Sequence, residues 1–581
     1  MKNGFYPELE NEIQSLPQGG ITYKTINGKR YAYYQWREDG KQHSRRVKDD
    51  EFEILSKQIE RRKQLQMMEK RVQVFVNNEY KCYALVDDAL DRWIENVKMW
   101  KRREIYSQIH DYIFDDCSEK VFILFGLRRT GKTTMIRQVI SEMNSDMRKQ
   151  TAFIQVDQYL SLADINHDMK ILAEKGYRYV FIDEATHMHD FIDGAALFSD
   201  IYAASGMKIV LSGTDSLGFS LTEHEELFDR CIMCHTTYIS YREFENVLGI
   251  TGIDQYIRYG GTMSISGAGY QNDLFSDEKK RNEYVNEAIA CNIQHSLKNY
   301  QNEGHFRALR ELYEKDELTS AINRIVEDIN HRFTIDVLTK PFRSNDLQIS
   351  AKNLRKDRKQ PTDILDRIDT ETVTTILKNE LDILNRNEQS VEIRDVHRIE
   401  IREYLYLLDL IEDIEVRWLN ELNRHDNRTV FTQPGLRYCQ AEALVRALMQ
   451  DHAFRELSLS ERNRVTERIL NEIRGRMMED IVLLETKHAR RNCEVFHLQF
   501  AIGEFDMVVF DEKNESCQIY EIKHSSEAVL EQCRYLLDEQ KCRETEFRYG
   551  TITGKYVIYR GEDMFVNGIQ YLNVEKYLLE L

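Results

Sequence analysis

The sequence predicts an α/β protein of several domains, organised round a parallel sheet. Three observations carry that prediction: short apolar runs alternate with amphipathic stretches over 101–249, helical periodicity dominates 250–455, and one helix with several strands fills 456–581. At 581 residues the chain exceeds what one core holds, and roughly three to five domains of 100–200 residues are expected. Residues 1–100 form the remaining, N-terminal unit.

Within that unit, 21–48 reads as a three-stranded meander. Asn27-Gly28 and Asp39-Gly40 sit between β-rich runs, where glycine supplies the positive φ of a tight turn. The segment carries eight Lys/Arg against two acids, with Tyr23, Tyr31, Tyr33, Tyr34 and Trp36 interleaved. Such residues suit the bases and phosphates of DNA or RNA, and equally the packing of one buried sheet face. A helix follows, with Phe52, Leu55, Ile59 and Leu65 at helical spacing.

The parallel sheet rests on the apolar runs 121–125, 151–156, 179–183 and 208–213. Each is short and rich in β-branched or aromatic residues, as strands covered on both faces require. The amphipathic stretches between them supply crossover helices. Further on, a polar, basic interruption at 344–362 reads as a loop. The run 401–416 reads as a helix and 428–439 as a β-ribbon, together a winged-helix-like unit.

Composition excludes several classes. With 42% hydrophobic and 31% charged residues the chain has enough apolar surface to fold. A net charge of −18 argues against coating nucleic acid over the whole surface. No apolar stretch approaches the ~20 residues that span a bilayer, no secretory pattern opens the chain, and the ten cysteines are scattered. The expectation is a cytoplasmic protein with reduced thiols and no membrane partner.

The sharpest motif is Gly126-Leu127-Arg128-Arg129-Thr130-Gly131-Lys132-Thr133, which fits G-x-x-x-x-G-K-[ST] between an apolar strand and an amphipathic helix beginning Thr134-Met135. Glycines let backbone N–H groups curl round phosphates, and the helix N-terminus adds its positive dipole end. Lys132 is placed to reach the β- and γ-phosphates of ATP, and the Thr133 hydroxyl to ligate Mg²⁺. About fifty residues later the strand 179–183 runs into Asp183 and Glu184, suited to the metal and the attacking water respectively. Ser212 or Thr214, ending the strand 208–213, suits γ-phosphate sensing. Arg230 suits transition-state charge, in cis or in trans.

The ordered set GLRRTGKTT, VFIDEA, LSGTDS, FDR, YISYREF and IRYGGT resembles prokaryotic AAA-type ATPases in which a helical, winged-helix region leads to a C-terminal restriction-endonuclease-like domain. The resemblance spans roughly 105–581. It implies nucleotide and metal roles for Lys132 and Thr133, metal and water roles for Asp183 and Glu184, and the arginine role for Arg230. That arginine departs from the common Gly-Arg pair, since Asp229 precedes it.

A second constellation lies near the C-terminus. Glu479 falls on a helix, Asp506 opens an apolar strand, and Glu521-Ile522-Lys523 lies on another. Alternation puts Glu521 and Lys523 on one face. Two acids from neighbouring strands can hold a divalent cation while the lysine positions water. The spacing resembles the PD-(D/E)XK nuclease pattern, which implies Glu479, Asp506 and Glu521 for metal and Glu521 with Lys523 for catalysis. The bland reading is a nuclease fold kept as a structural or DNA-binding module.

The expected architecture is therefore a P-loop parallel-sheet ATPase domain, a helical or winged-helix middle and an α/β nuclease-like end. The expected function is ATP binding and Mg²⁺-dependent hydrolysis that controls a module engaging nucleic acid or a partner, with self-association open. The alternatives are an ATP-gated DNA nuclease serving defence, and a non-cutting ATP-switched regulatory or scaffold protein. Cys231-x-x-Cys234-His235 lacks a second ligand pair for zinc, and His187 and His189 read as polar loop residues.

Overall fold

A computed structural model gives the fold. It describes residues 16–48 outside 27–28 and 39–40, scattered positions in 51–62, and residues 80–263 except 98, 116–118, 158–159, 189, 215–218, 220–226 and 228. It also describes scattered positions in 306–337, and residues 393–581 except 422–423 and 449–457. The turn pairs Asn27-Gly28 and Asp39-Gly40, Leu65, His189 and the stretch 344–362 lie outside the described residues.

The N-terminal meander pairs β1 (Gly20–Ile26), β2 (Lys29–Glu38) and β3 (Lys41–Arg46) antiparallel, in that order. Tyr34 and Trp36 share a face and stack at 4.9 Å, and buried Tyr34 and Val47 meet Leu55 and Ile59 of the following helical stretch. That face is a small core. On the strands, Arg46 lies 3.7 Å over the Tyr31 ring, and His43, Ser44, Arg45 and Arg46 are exposed.

Six strands form the next sheet: β4 (Tyr83–Leu85), β5 (Val121–Phe125), β6 (Thr151–Gln155), β7 (Tyr179–Asp183), β8 (Lys208–Gly213) and β9 (Cys231–His235). Their order is β4-β6-β7-β8-β5-β9, parallel throughout except for the edge strand β4. Phe122, Ile123, Val180, Phe181, Ile182, Ile209, Val210 and Leu211 are fully buried, each contributing about 1.5–3 kcal/mol by leaving water. Helix α1 (Lys132–Glu142) packs on one face through Met135, Ile136, Val139 and Ile140. The strand β4 lies before the boundary read at 101, so this sheet recruits residues assigned to the N-terminal unit.

Beyond β9 the chain enters the C-terminal core directly. Tyr238, Tyr241, Phe244, and Ile253, Tyr256 and Ile257 of α2 (Ile253–Tyr259) share one cluster with Ile473, Met477 and Leu484 of α3 (Leu459–Ala489). The described middle is helical at Arg307–Glu314 and Asp395–Leu407. There the helix read over 401–416 stops early: Asp409 takes φ 58°, and the chain continues as β10 (Ile411–Trp418) and β11 (His425–Phe431).

That hairpin is not a free wing. β10 pairs in parallel with β12 (Glu494–Gln499), so the ribbon extends the C-terminal sheet. The remaining strands are β13 (Glu504–Asp511), β14 (Ser516–Lys523), β15 (Thr551–Tyr559), β16 (Met564–Val566) and β17 (Ile569–Asn573). The order is β11-β10-β12-β13-β14-β15-β17-β16. β12, β13 and β14 form an antiparallel meander, and the helix Glu539–Tyr549 carries the chain across to β15, parallel to β14. Among the described residues no helix is long and apolar enough to cross a membrane.

Candidate nucleotide site and C-terminal carboxylate site

In a parallel sheet, ligands gather beyond the carboxyl ends of the strands, where neighbouring connections diverge. β5 is such a place, because its neighbours β8 and β9 both come later in the chain. The loop after β5 bends through Gly126 at φ 140°, Arg129 at φ 66° and Gly131 at φ 91°. A Cβ on Gly126 would lie 2.4 Å from the Thr236 carbonyl oxygen, and one on Gly131 would lie 2.8 Å from Met263 Sδ. Gly126 is therefore required by space as well as by φ, and Gly131 by φ, since the Met263 thioether can give way.

Lys132 is buried, and its Nζ donates to the Gly126 and Leu127 carbonyls at 2.8 Å each. Burial pushes its pKa down to about 8, against the pull of Glu184 and Asp183. Thr133 Oγ1 donates to Asp183 Oδ2 at 3.0 Å, and Ser212 Oγ donates to the other Asp183 oxygen. Asp183 is raised above the usual carboxylate range by burial, then by adjacent Glu184, with both hydroxyls opposing. Glu184 stands in the left-handed region at φ 56°, a conformation that costs on the order of 1–3 kcal/mol for a residue with a side chain. Its Oε2 accepts from Thr214 N at 3.2 Å and Thr214 Oγ1 at 3.3 Å. His187 Nε2 lies 3.8 Å from the same oxygen.

Lys132, Thr133, Asp183, Glu184, Ser212 and Thr214 thus converge at the ends of β5, β7 and β8. Ser212 serves Asp183 and Thr214 serves Glu184, so both residues left open by the sequence are engaged. Thr130 Oγ1 donates to Leu127 O at 2.8 Å and contacts Thr236 Oγ1 at 2.8 Å. Arg128 is exposed. Leu127 offers the loop only its backbone, since its side chain is buried in the helical core with Phe306, Leu309, Tyr404 and Leu405. Thr133 and the buried Asp183 fit a Mg²⁺ ion, being hard oxygen donors already within one hydrogen bond of each other.

Arg230 does not join this group. It precedes β9 beside the start of β5, with its carbonyl accepting from Val121 N at 3.0 Å. Five residues of strand, about 16 Å, separate that end from the loop. Its guanidinium pairs with Asp200 at 3.1 Å. A role in cis is thereby corrected, because the side chain starts from the wrong end of the sheet.

Sequence reasoning missed Arg103. Its Nε donates to both Glu243 oxygens (3.0 and 3.2 Å), Nη2 to Glu243 Oε2 (2.6 Å) and Tyr238 O (3.1 Å), and Nη1 to Thr130 O (2.8 Å) and Thr237 O (3.1 Å). This buried fork clamps the phosphate loop to the segment after β9. Met263 N adds a bond to Arg129 O at 2.8 Å.

At the C-terminal site, Lys523 Nζ bridges Asp506 Oδ2 at 2.8 Å and Glu521 Oε2 at 2.7 Å. Asp506 also accepts from Ile522 N at 2.7 Å. Asp506 and Glu521 are buried, and Glu521 Oε1 has no hydrogen-bond partner. Burial raises the Glu521 pKa, opposed by Lys523, and the surrounding acids hold the Lys523 ammonium charged against the cost of its desolvation. Glu479 is engaged differently: Arg476 Nη1 lies at 2.5 Å and Arg428 Nη2 at 3.5 Å. Among the described residues no three His, Cys, Asp or Glu side chains stand ready to hold a metal. Asp506 and Glu521 are the two oxygen donors of the predicted cation site, whose place Lys523 Nζ fills here, whereas Glu479 is already paired with Arg476.

Residues 118–245 match a family described as an AAA domain, and residues 5–57 match a domain of unknown function (DUF6788). No protein of curated function matches the chain. Among solved structures, the ORC1 protein of Aeropyrum pernix in complex with DNA is 12% identical, covering 63% of this chain and 97% of its own, at a TM-score of 0.22. A structure on katanin self-assembly is also 12% identical, covering 39% and 85%, at a TM-score of 0.19.

Proposed function

We propose that the AAA-type domain at 118–245 binds ATP with Mg²⁺ and hydrolyses it, and that the nucleotide governs how the C-terminal sheet engages a nucleic acid or partner. The carrying observation is the convergence of Lys132, Thr133, Asp183, Glu184 and Thr214 at three neighbouring strand ends. Lys132 takes the β- and γ-phosphates, and Thr133 and Asp183 hold the cation. Glu184, steadied by Thr214, orients water. The bound Mg²⁺ supplies neutralisation of phosphate charge.

A route to the C-terminal site supports the coupling. At one end of 253–263, Met263 is bonded to the phosphate loop. At the other, Asp254 pairs with His524 at 2.8 Å and Arg560 at 2.7 Å, directly after Lys523. Arg230, placed away from its own loop, would meet a phosphate only in trans, from a second copy of the chain.

Glu184→Gln keeps the shape and removes the base. Turnover should fall by roughly 10²–10⁴-fold while nucleotide affinity is retained. A steady-state ATPase assay beside a binding titration decides it, and undiminished turnover removes Glu184 from its role.

A second reading is favoured by Lys523 bridging two buried acids: the C-terminal site cleaves DNA when the ATPase permits. Glu521→Ala and Lys523→Ala would then abolish cutting. If both leave every activity intact while Lys132→Ala abolishes it, the module is a non-cutting scaffold.

A further inference from the structure

Beside the acids of the C-terminal site stands a basic cluster that no motif announces. Arg428 comes from β11, in the annexed hairpin, and Arg476 from α3. The Arg428 side chain is only 10% exposed, yet its Nη1 has no hydrogen-bond partner. Its Nη2 is shared among the Arg476 carbonyl at 3.3 Å, Glu479 at 3.5 Å and Asp480. Asp480 already has a second partner, Arg437, at 2.6 Å. The fork is thus crowded on one edge and unmet on the other. A buried donor left unmet is costly, and the neighbouring Arg437 has a partner for each of its three nitrogens.

Arg476, 19% exposed, and Lys523, 33% exposed, border the same acids from nearer the solvent. Glu479 feels the charges of Arg476, Asp506, Arg428 and Lys523, so all five belong to one electrostatic neighbourhood. A planar fork with an unmet, enclosed nitrogen beside a second arginine is a donor set suited to phosphate oxygens.

We propose that Arg428 and Arg476 bind a backbone phosphate of a nucleic-acid strand at this site, so that the hairpin 411–431 completes a site whose acids lie on β13 and β14. Phosphate oxygens take the unmet Arg428 Nη1, which is enclosed while Arg476 pairs with Glu479, and compete with Glu479 for Arg476. This rests on reading Asp506, Glu521 and Lys523 as a site for phosphodiesters. The hairpin supplies substrate grip, and the acids and lysine supply the chemistry.

The test is fluorescence anisotropy of a labelled 20-mer, single-stranded and duplex, with full-length protein in Ca²⁺ over a salt series. Arg428→Gln should weaken binding about tenfold and lower the salt slope by about one ion. Arg428→Lys should keep most of the slope but lose affinity, with its melting temperature unchanged. If Arg428→Gln does not fold, the lysine variant decides: wild-type affinity in a folded Arg428→Lys protein overturns the proposal. Inorganic phosphate that displaces the 20-mer equally well at the same phosphate concentration would overturn the assignment to nucleic acid. Absence of binding by the wild-type protein to either oligonucleotide would instead sink the phosphodiester reading itself.

Discussion

Lys132 is a buried cation whose present partners are two carbonyls, and burial leaves its pKa near 8. Phosphate favours the charged amine, so nucleotide binding should draw protons from solvent between about pH 8 and 10. Calorimetry at pH 8.5 in buffers of differing ionisation enthalpy should report net uptake of a fraction of a proton, absent in Lys132→Met; buffer-independent heats would contradict it. The meeting of the loop glycines, Lys132, Thr133 and the acid pair was legible in the sequence because each position follows directly on an apolar strand. Arg103 was not, since its partner Glu243 is 140 residues away and nothing local marks the pair. Arg428 was hidden for the same reason. Arg230 shows the reverse error: its spacing suited a catalytic arginine, but a parallel strand places its first residue at the far end from its last.

At the scale of elements, four apolar runs became the parallel strands β5, β6, β7 and β8, because strands covered on both faces advertise themselves by composition. The hairpin 411–431 was harder. Its approach, YLYLLDLIEDIEV, satisfies helical and alternating patterns at once, and the left-handed Asp409 decides between them. Parallel pairing of β10 with β12 joins strands separated by a helix of 31 residues, which no local pattern encodes. Leu127 connects two elements in a similar hidden way, planting a phosphate-loop side chain in the helical core. Leu127→Ala should cost about 2–5 kcal/mol. Hydrogen exchange should quicken in 395–407 while 179–183 stays protected; equal protection in both would deny the link.

Across the whole molecule, the expected division at 249/250 meets a continuous core, in which 238–263 packs with α3 and the C-terminal sheet. Glu485 of α3 sits inside that seam, accepting from Tyr241 N at 2.8 Å and Tyr256 Oη at 3.1 Å. Burial lifts its pKa from 4.5 to about 7. Between those values the folded chain binds more protons than the unfolded chain, so this group's stability is complete below about pH 4.5 and is lost as pH rises through 7. Glu485→Gln should remove that slope, flattening the difference between pH 5 and pH 8 by up to about 3 kcal/mol. Denaturant midpoints at the two pH values test it, and an unaltered slope would place the titration elsewhere.

The seam also bears on descent. A crossover in the gene near codon 249 would give each offspring part of a shared interior: one bare face of Tyr238, Tyr241 and Phe244, one long helix stripped of that part of its cover. Each product should expose apolar surface that the intact chain buries, so a chain severed there should lose solubility in both halves.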